Sequence, residues 1–378
     1  MFRTAFKFMK FDIPKSIGVL VGIVISVFLI GQQLGTLGFL MRLMGGIVEN
    51  SNAQSTEIWV IDNTTNNVNV LTPIDQRVVQ EIASIPGVAY TEGMITAQAT
   101  ATFNNGKTAS VTLIGSEGPL FPAGPLVEKI TGGNLQDLNQ ADAISAEFFS
   151  SKSLKIALDL NQTLEINGKM AVVKVTTKNI QGFGGEYMYS SMDNVRFYAD
   201  FPRSKVSAIG VKLADGADME SVINRINSTF SGIKAWDKED LKSSSTKEIL
   251  STSNMGISFA SLIIFASISG FFIIGLTLYS SALDRMQDYG TLKAMGATNG
   301  YVSRLILTQA FLYAITGFAI AMILLLMFKN GVQSAGLIIN LSAELMLTLL
   351  GITLFISVGG SLFAVAKIRK LEPASVFN

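Results

Sequence analysis

The chain is 378 residues long, 49% hydrophobic and only 15% charged, with a formal net charge of +1. That balance is too apolar for an ordinary soluble domain of this size, and the near-zero charge gives no global field for nucleic acid. Cysteine and histidine are both absent, which excludes disulfide staples, thiolate or imidazole metal sites, thiol nucleophiles and imidazole bases.

Residues 1–15 form a basic leader with Arg3, Lys7, Lys10 and Lys15. Phe2, Phe6, Met9 and Ile13 share one helical face, which suits a short amphipathic helix lying on a membrane surface and ended by Pro14; a frayed basic terminus fits the same residues. Residues 16–41 are the first of four windows without Asp, Glu, Lys or Arg. The others are 256–279, 305–328 and 345–366, each long enough to cross a bilayer, which takes roughly 20 apolar residues. The first is too long for a signal-peptide core and no small-x-small site follows it, so it reads as an uncleaved anchor. Along it, Gly18/Gly22 and Gly31/Gly35 are small-xxx-small pairs that permit close helix contact, including contact between two copies. Gln32 and Gln33 suit interhelical hydrogen bonding or a position near the membrane boundary.

Residues 42–253 have shorter apolar runs and frequent turn signals, as in an α+β domain. Glu57–Ile61 reads as a strand. Thr72 and Pro73 read as an N-cap and first-turn pair before Val78, Val79, Ile82 and Ile85 at helical spacing, with Pro86–Gly87 as the stop. Asn105–Gly106 and Asn167–Gly168 are dipeptides of type I′ hairpins. Ala208–Leu213 is a further strand, and Met219, Val222, Ile223, Ile226 and Phe230 mark an amphipathic helix. The outer parts make two strand-helix-strand halves of one small sandwich, a ferredoxin-like arrangement. Residues 119–202 look like an inserted, mostly-β subdomain. Asp237–Ser253 reads either as a helical stalk continuing the second span or as a linker.

Residues 280–304 join the second and third spans, residues 329–344 the third and fourth, and 367–378 form a tail. The leader, the 280–304 connection (Arg285, Lys293, Arg304) and the tail (Lys367, Arg369, Lys370) carry the basic residues, against Lys329 alone after the third span. Both termini are therefore expected in the cytoplasm and the large domain outside. The fold class is an all-α four-span bundle with an extracytoplasmic α+β domain.

Chemistry is sparse. Gly106-Lys107-Thr108 ends like a phosphate-binding loop, but Ala101 stands where the first glycine belongs and the segment lies on a hairpin. Gly182-Phe183-Gly184-Gly185 opens no amphipathic helix and reads as a loop. The spans lack ionisable side chains, which argues against an intramembrane protease or proton-coupled carrier. No catalytic, cofactor-binding or metal-ligating residue is nominated.

The segment Asp284–Thr298 is polar at the front and then amphipathic, with Leu292 and Met295 on one face and Gly296 as a stop. It reads as a short helix whose apolar ridge can enter a groove on a cytoplasmic partner. Asp284-Arg285-Met286-Gln287-Asp288-Tyr289-Gly290-Thr291-Leu292-Lys293-Ala294-Met295-Gly296-Ala297 closely resembles the signature after the second span of the MacB/FtsX (type VII) family of ABC transporter permeases. The tail Lys367-Ile368-Arg369-Lys370-Leu371-Glu372-Pro373-Ala374-Ser375 resembles the family's closing basic stretch and x-Pro-Ala. Ala143-Ile144-Ser145 before an Asn-Gly hairpin resembles its inserted subdomain, and the order of one span, a large domain and three spans agrees along the whole chain.

The resemblance implies a non-catalytic permease of a bacterial cytoplasmic (inner) membrane, working as a homodimer or related heterodimer with two copies of a separate cytoplasmic ABC ATPase. ATP and Mg would be bound by that partner. Tyr289, Gly290, Thr291, Leu292, Lys293, Ala294, Met295, Gly296 and Ala297 would contact the ATPase. Three uses of the stroke are implied by different branches: export or efflux with a periplasmic adaptor, lipoprotein release, and control of a cell-wall hydrolase. The two-part external domain favours the first.

Overall fold

The computed structural model describes residues 2–11, 13–52, 55–149, 156 and 158–369. The closing motif residues Lys370 to Ser375 lie outside them. The chain divides into two compact units. One gathers the described residues of Met1–Phe39, Met255–Gln333 and Leu337–Asn378; the other gathers those of Leu40–Asn254 with Ser334–Gly336.

Two helices begin the chain, α1 (Phe2–Phe11) and α2 (Ile13–Met44). Ala5 is fully buried and Met9 packs against the helical core, whereas Phe6 and Ile13 of the expected apolar face are exposed. Pro14 falls in the first turn of α2, where its missing N–H costs nothing. The last turn of α2 belongs to the second unit.

That unit continues with α3 (Gly46–Glu49), β1 (Ile58–Asp62), β2 (Ile74–Asp75), α4 (Arg77–Ala83), β3 (Val88–Thr102) and β4 (Thr108–Ser116). Then come β5 (Ile130–Gly132), β6 (Ala143–Glu147), β7 (Thr163–Ile166), β8 (Lys169–Thr177), β9 (Glu186–Ser191) and α5 (Met192–Ala199). The unit closes with β10 (Lys205–Val206), β11 (Ala208–Leu213), α6 (Met219–Thr229), β12 (Ile233–Asp237) and α7 (Lys238–Thr252).

The outer elements form two strand-helix-strand halves, β1-α4-β3 and β11-α6-β12. Their strands stand in the order β12-β1-β11-β3 with antiparallel neighbours, the ferredoxin-like arrangement expected from the sequence. Alternation along β1 sends Ile58 and Val60 into one core with Val79, Ile82, Val222 and Ile226, and Trp59 and Ile61 into another with Val48, Tyr187 and Leu241. Both faces of the strand are therefore covered.

Three details differ from the sequence reading. Thr72 and Pro73 do not open the helix; residues 74–75 pair with β10, and α4 starts at Arg77, whose backbone N–H donates to Asp75 at 2.9 Å. An acidic side chain two residues ahead supplies the acceptor that Thr72 was expected to provide. The insertion also begins earlier than residue 119. The long strand β3 pairs with β11 through Met94 and with β4 from Ile95, so one continuous strand serves both sheets and no composition change marks the boundary. The first Asn-Gly turn is not type I′. Gly106 alone has positive φ (76°), and its N–H donates to the Phe103 carbonyl at 2.8 Å, a type I turn followed by a left-handed glycine. At the second, Asn167 (49°) and Gly168 (76°) are both left-handed, as type I′ requires.

Asp237–Ser253 resolves as a helix. Asp237 caps it by accepting from the N–H groups of Glu239 and Asp240. It does not run on unbroken: Asn254 takes φ 54° before α8 (Met255–Asp284) begins. The remaining elements are α9 (Met286–Ala294), α10 (Asn299–Gln333) and α11 (Ala343–Arg369).

The helices α2, α8, α10 and α11 are 32, 30, 35 and 27 residues long and apolar enough to cross a membrane. They overrun the apolar windows at their ends because charged residues continue a helix into the interface. Within this unit the close approaches are made at glycines. A Cβ on Gly360 would sit 2.9 Å from the Phe271 carbonyl, and one on Gly275 would sit 3.1 Å from the Gly360 carbonyl, so α8 and α11 meet backbone to backbone. Three glycines of α2 are closely approached from the same chain, Gly22 by Ile273, Gly31 by Leu325 and Gly35 by Ile339, with Thr277 nearest Gly18, while Gly38 has open space beside it. The close helix contact that these small-residue pairs permit is thus made, within this chain, with α8, α10 and the segment before α11.

Candidate functional site

The segment between the second and third apolar helices folds as a separate short helix, set off by Arg285 at φ −101°, ψ 21°. Its C-terminal turn is built by hydrogen bonds. Gly296 N–H donates to the Lys293 carbonyl at 3.0 Å and Ala297 N–H to the Leu292 carbonyl at 2.9 Å, with Gly296 at φ 97°. This is a Schellman stop, and only glycine adopts that φ without strain. Thr298 then opens α10: its Oγ1 accepts from Tyr301 N–H at 3.2 Å.

One face of α9 is docked on the helical unit. Tyr289 is 2% exposed and Gly290 is buried; Arg285, just before the helix, is 8% exposed. Leu292 and Ala297 are half-buried against the same core. The Tyr289 hydroxyl lies beside the Gln309 side chain of α10, and burial pushes it up to about 12, so it stays neutral. Lys293 Nζ donates to the Ile368 carbonyl near the end of α11 at 3.0 Å. Burial draws that ammonium below its usual range, while the helix-end carbonyl supplies a favourable partner.

The same end of the unit holds further ties. Lys15 pairs with Asp284, Ser16 Oγ lies 2.6 Å from Tyr313 Oη, and Arg369 Nε donates to Ser303 Oγ at 3.2 Å. Together these join α2 to α8 and α10, and α10 to α11.

The opposite face of α9 is open. Gln287, Asp288, Thr291, Ala294, Met295 and Gly296 are exposed, Met295 to 72%. The expected ridge of Leu292 and Met295 is therefore divided. Leu292 follows Tyr289 by one turn and faces the bundle, whereas Met295 is the C-cap residue and turns outward as the helix ends. Of the nine residues read from the sequence as partner-contacting, Thr291, Ala294, Met295 and Gly296 are on the open side. Tyr289 and Gly290 are on the docked side, with Leu292, Lys293 and Ala297 between.

Sequence reasoning passed over the anchors of this site. Gln309 lies inside the third apolar window, one helical turn before Tyr313. A polar side chain there, facing an aromatic residue in the preceding connection, was the available signal. The two discounted motifs sit apart from any helix N-terminus: Gly106-Lys107-Thr108 is the β3–β4 turn, and Gly182 lies in a loop against the Tyr187 ring.

Two family models match the chain. One described as the MacB-like periplasmic core domain covers residues 16–229, and one described as the FtsX-like permease C-terminal covers residues 260–373. Among curated proteins, none matches. Among solved structures, the periplasmic region of MacB from Actinobacillus actinomycetemcomitans is 13% identical, covers 54% of this chain and 96% of its own, with a TM-score of 0.38. The extracellular domain of the noncanonic ABC-type transporter YknZ from Gram-positive bacteria is 14% identical, covering 48% and 99%, with a TM-score of 0.35.

Proposed function

From a chain that belongs to the MacB/FtsX family of ABC permeases, we propose that it is the membrane subunit through which a separate cytoplasmic ATPase drives motion of an external domain, used for export or efflux of a substrate. In this reading both termini and α9 face the cytoplasm, as the Lys and Arg distribution supports. The chain binds no nucleotide itself; ATP and Mg belong to the ATPase, and a second permease copy completes the assembly.

The observation that carries the reading is the two-sided α9. A partner needs an accessible surface to push on, and Thr291, Ala294 and Met295 supply a small, weakly polar one. The push must also reach the bundle. Tyr289 on Gln309 and Lys293 on the Ile368 carbonyl fix the helix to α10 and α11, so displacement of α9 carries those helices with it.

Because the chain has no cysteine, Met295→Cys introduces a single thiol on the open face. A bifunctional crosslinker should join it to a subunit with ATPase activity in native membranes, and a thiol at exposed Phe355 on α11 should not react with that subunit. Equal crosslinking from both positions, or none from Met295→Cys, would remove the assignment.

A further inference from the structure

The two helices that begin the chain do not share an axis. Ser16 Oγ donates to the Met9 carbonyl at 2.6 Å, across 7 positions. Along a straight helix those residues would stand about 10 Å apart, beyond the reach of a serine hydroxyl, so the chain bends between α1 and α2. The bend is pinned. Ser16 Oγ also lies 2.6 Å from Tyr313 Oη of α10, Ala5 is fully buried, and Met9 packs against the same helical core. Helix α1 thus leans on α10 instead of extending α2.

One face of α1 stays uncovered. Phe6 is 60% exposed, Lys7 and Lys10 are exposed beside it, and Ile13 at the start of α2 is 56% exposed. Helix α1 has no carboxylate, and neither has α10, against which it packs. Among the described residues Lys7 and Lys10 form no ion pair; Lys15, the next cation, is paired with Asp284. Asp12 is the single acidic residue of the first 15, against Arg3, Lys7, Lys10 and Lys15. A helix face that sets an exposed aromatic ring beside cations has the composition of one seated at a lipid headgroup layer.

We propose that α1 lies in the membrane interface and that Lys7 and Lys10 hold the headgroups of acidic phospholipids there, with Phe6 at the acyl boundary. The membrane surface is placed by the chain itself: the apolar stretch of α2 begins at Ile17, directly after Ser16 and within the same compact unit. A helix that leaves the axis of a crossing helix at that level runs along the interface. Charge selects the lipid. Two ammonium groups on a helix without a carboxylate are attracted by an anionic headgroup and gain little from a zwitterionic one. The lipid contact is independent of the partner contact at α9.

Because the chain has no cysteine, Ile13→Cys gives a single exposed thiol beside this face while Phe6, Lys7 and Lys10 stay in place. The full chain, labelled there with an environment-sensitive fluorophore, is reconstituted into nanodiscs of equal phosphatidylglycerol and phosphatidylcholine. One lipid or the other carries a nitroxide quencher. Labelled phosphatidylglycerol should quench at least twofold more strongly than labelled phosphatidylcholine. A fluorophore placed through Phe355→Cys, at an exposed position of α11, should be quenched equally by both. Lys7→Gln with Lys10→Gln should remove the difference at position 13. So should about 1 M salt, which screens charges beyond about 3 Å and leaves every side chain in place. Equal quenching with both lysines present, or an excess that survives the double variant and the salt, overturns the lipid contact. Crosslinking of Ile13→Cys to an ATPase-active subunit in native membranes, as strong as that of Met295→Cys, would give this face to a protein and overturn it as well.

Discussion

The two units of this protein reach close packing by opposite means. In the helical unit, tight contacts occur where side chains are missing: Gly275 and Gly360 bring two backbones together, and Gly22, Gly31 and Gly317 receive Ile273, Leu325 and Ile23. In the external unit, tight contacts occur where side chains are large, with Trp59, Tyr187, Tyr189 and Phe121 fully or almost fully buried. The difference follows from the solvent. Burial drives a domain in water, so bulk is favoured; between helices in lipid that drive is absent and shape and backbone approach decide.

The largest expected effect comes from breaking the first kind of contact. Gly360→Leu places side-chain atoms where Cβ alone lies 2.9 Å from a carbonyl oxygen on α8, and backbone cannot swing aside as a side chain can. The helical unit should lose the α8–α11 contact altogether, seen as loss of a monodisperse species in detergent, while the external unit keeps its β-sheet circular dichroism. An intact bundle would mean that the glycine approach is dispensable. Next in size is Trp59→Ala, which removes a fully buried side chain from between two sheets of the external unit. It should cost about 3–5 kcal/mol and lower the thermal midpoint of that unit.

How much of this contrast is legible in the sequence depends on the range of the signal. The apolar windows, the ferredoxin-like halves and the Gly296 stop are local patterns, and each can be read from a few neighbouring residues. The glycines of α2 are visible as pairs, but their partners are not, since Ile273, Leu325 and Ile339 lie hundreds of residues away. The same holds at α9. Its amphipathic face is apparent, yet which side docks is decided by Gln309 and the Ile368 carbonyl, on two other helices. A boundary inside a strand, as in β3, leaves no local trace at all.

A third prediction concerns the point where β3 passes between the two sheets. Glu92 is 7% exposed there, accepts the Glu117 N–H at 2.6 Å and the Tyr90 hydroxyl, and faces the Glu117 carboxylate, with Arg196 of α5 close to Glu117. Burial, with Glu117, pushes its carboxyl up to about 7. A folded-state value above the unfolded one means that the contribution is fully present below about pH 4.5 and fades as pH rises through about 7. Raising pH from 5 to 8 should therefore destabilise the external unit by about 2 kcal/mol, after discounting for partial solvent access. Glu92→Gln should flatten the pH dependence of the melting temperature, and an unchanged slope would show that another group sets it.

The smallest effects separate the two Asn-Gly turns. Asn167 sits at φ 49°, its Oδ1 accepts from Thr100 N–H at 2.9 Å, and its Nδ2 donates to the Tyr198 carbonyl at 3.1 Å. It thus links its turn to β3 and α5. Asn105 keeps negative φ and only accepts from Lys107 N–H at 3.1 Å, within its own exposed turn. Replacing Asn167 with Ala forfeits a left-handed preference and two bonds, one exposed and one partly buried, about 1.5–2 kcal/mol, whereas Asn105→Ala should cost about 0.5 kcal/mol. Chemical denaturation of the two variants side by side measures the gap. Equal losses would mean that turn geometry alone matters at both sites and that the Asn167 side chain contributes nothing to holding the inserted sheet on β3.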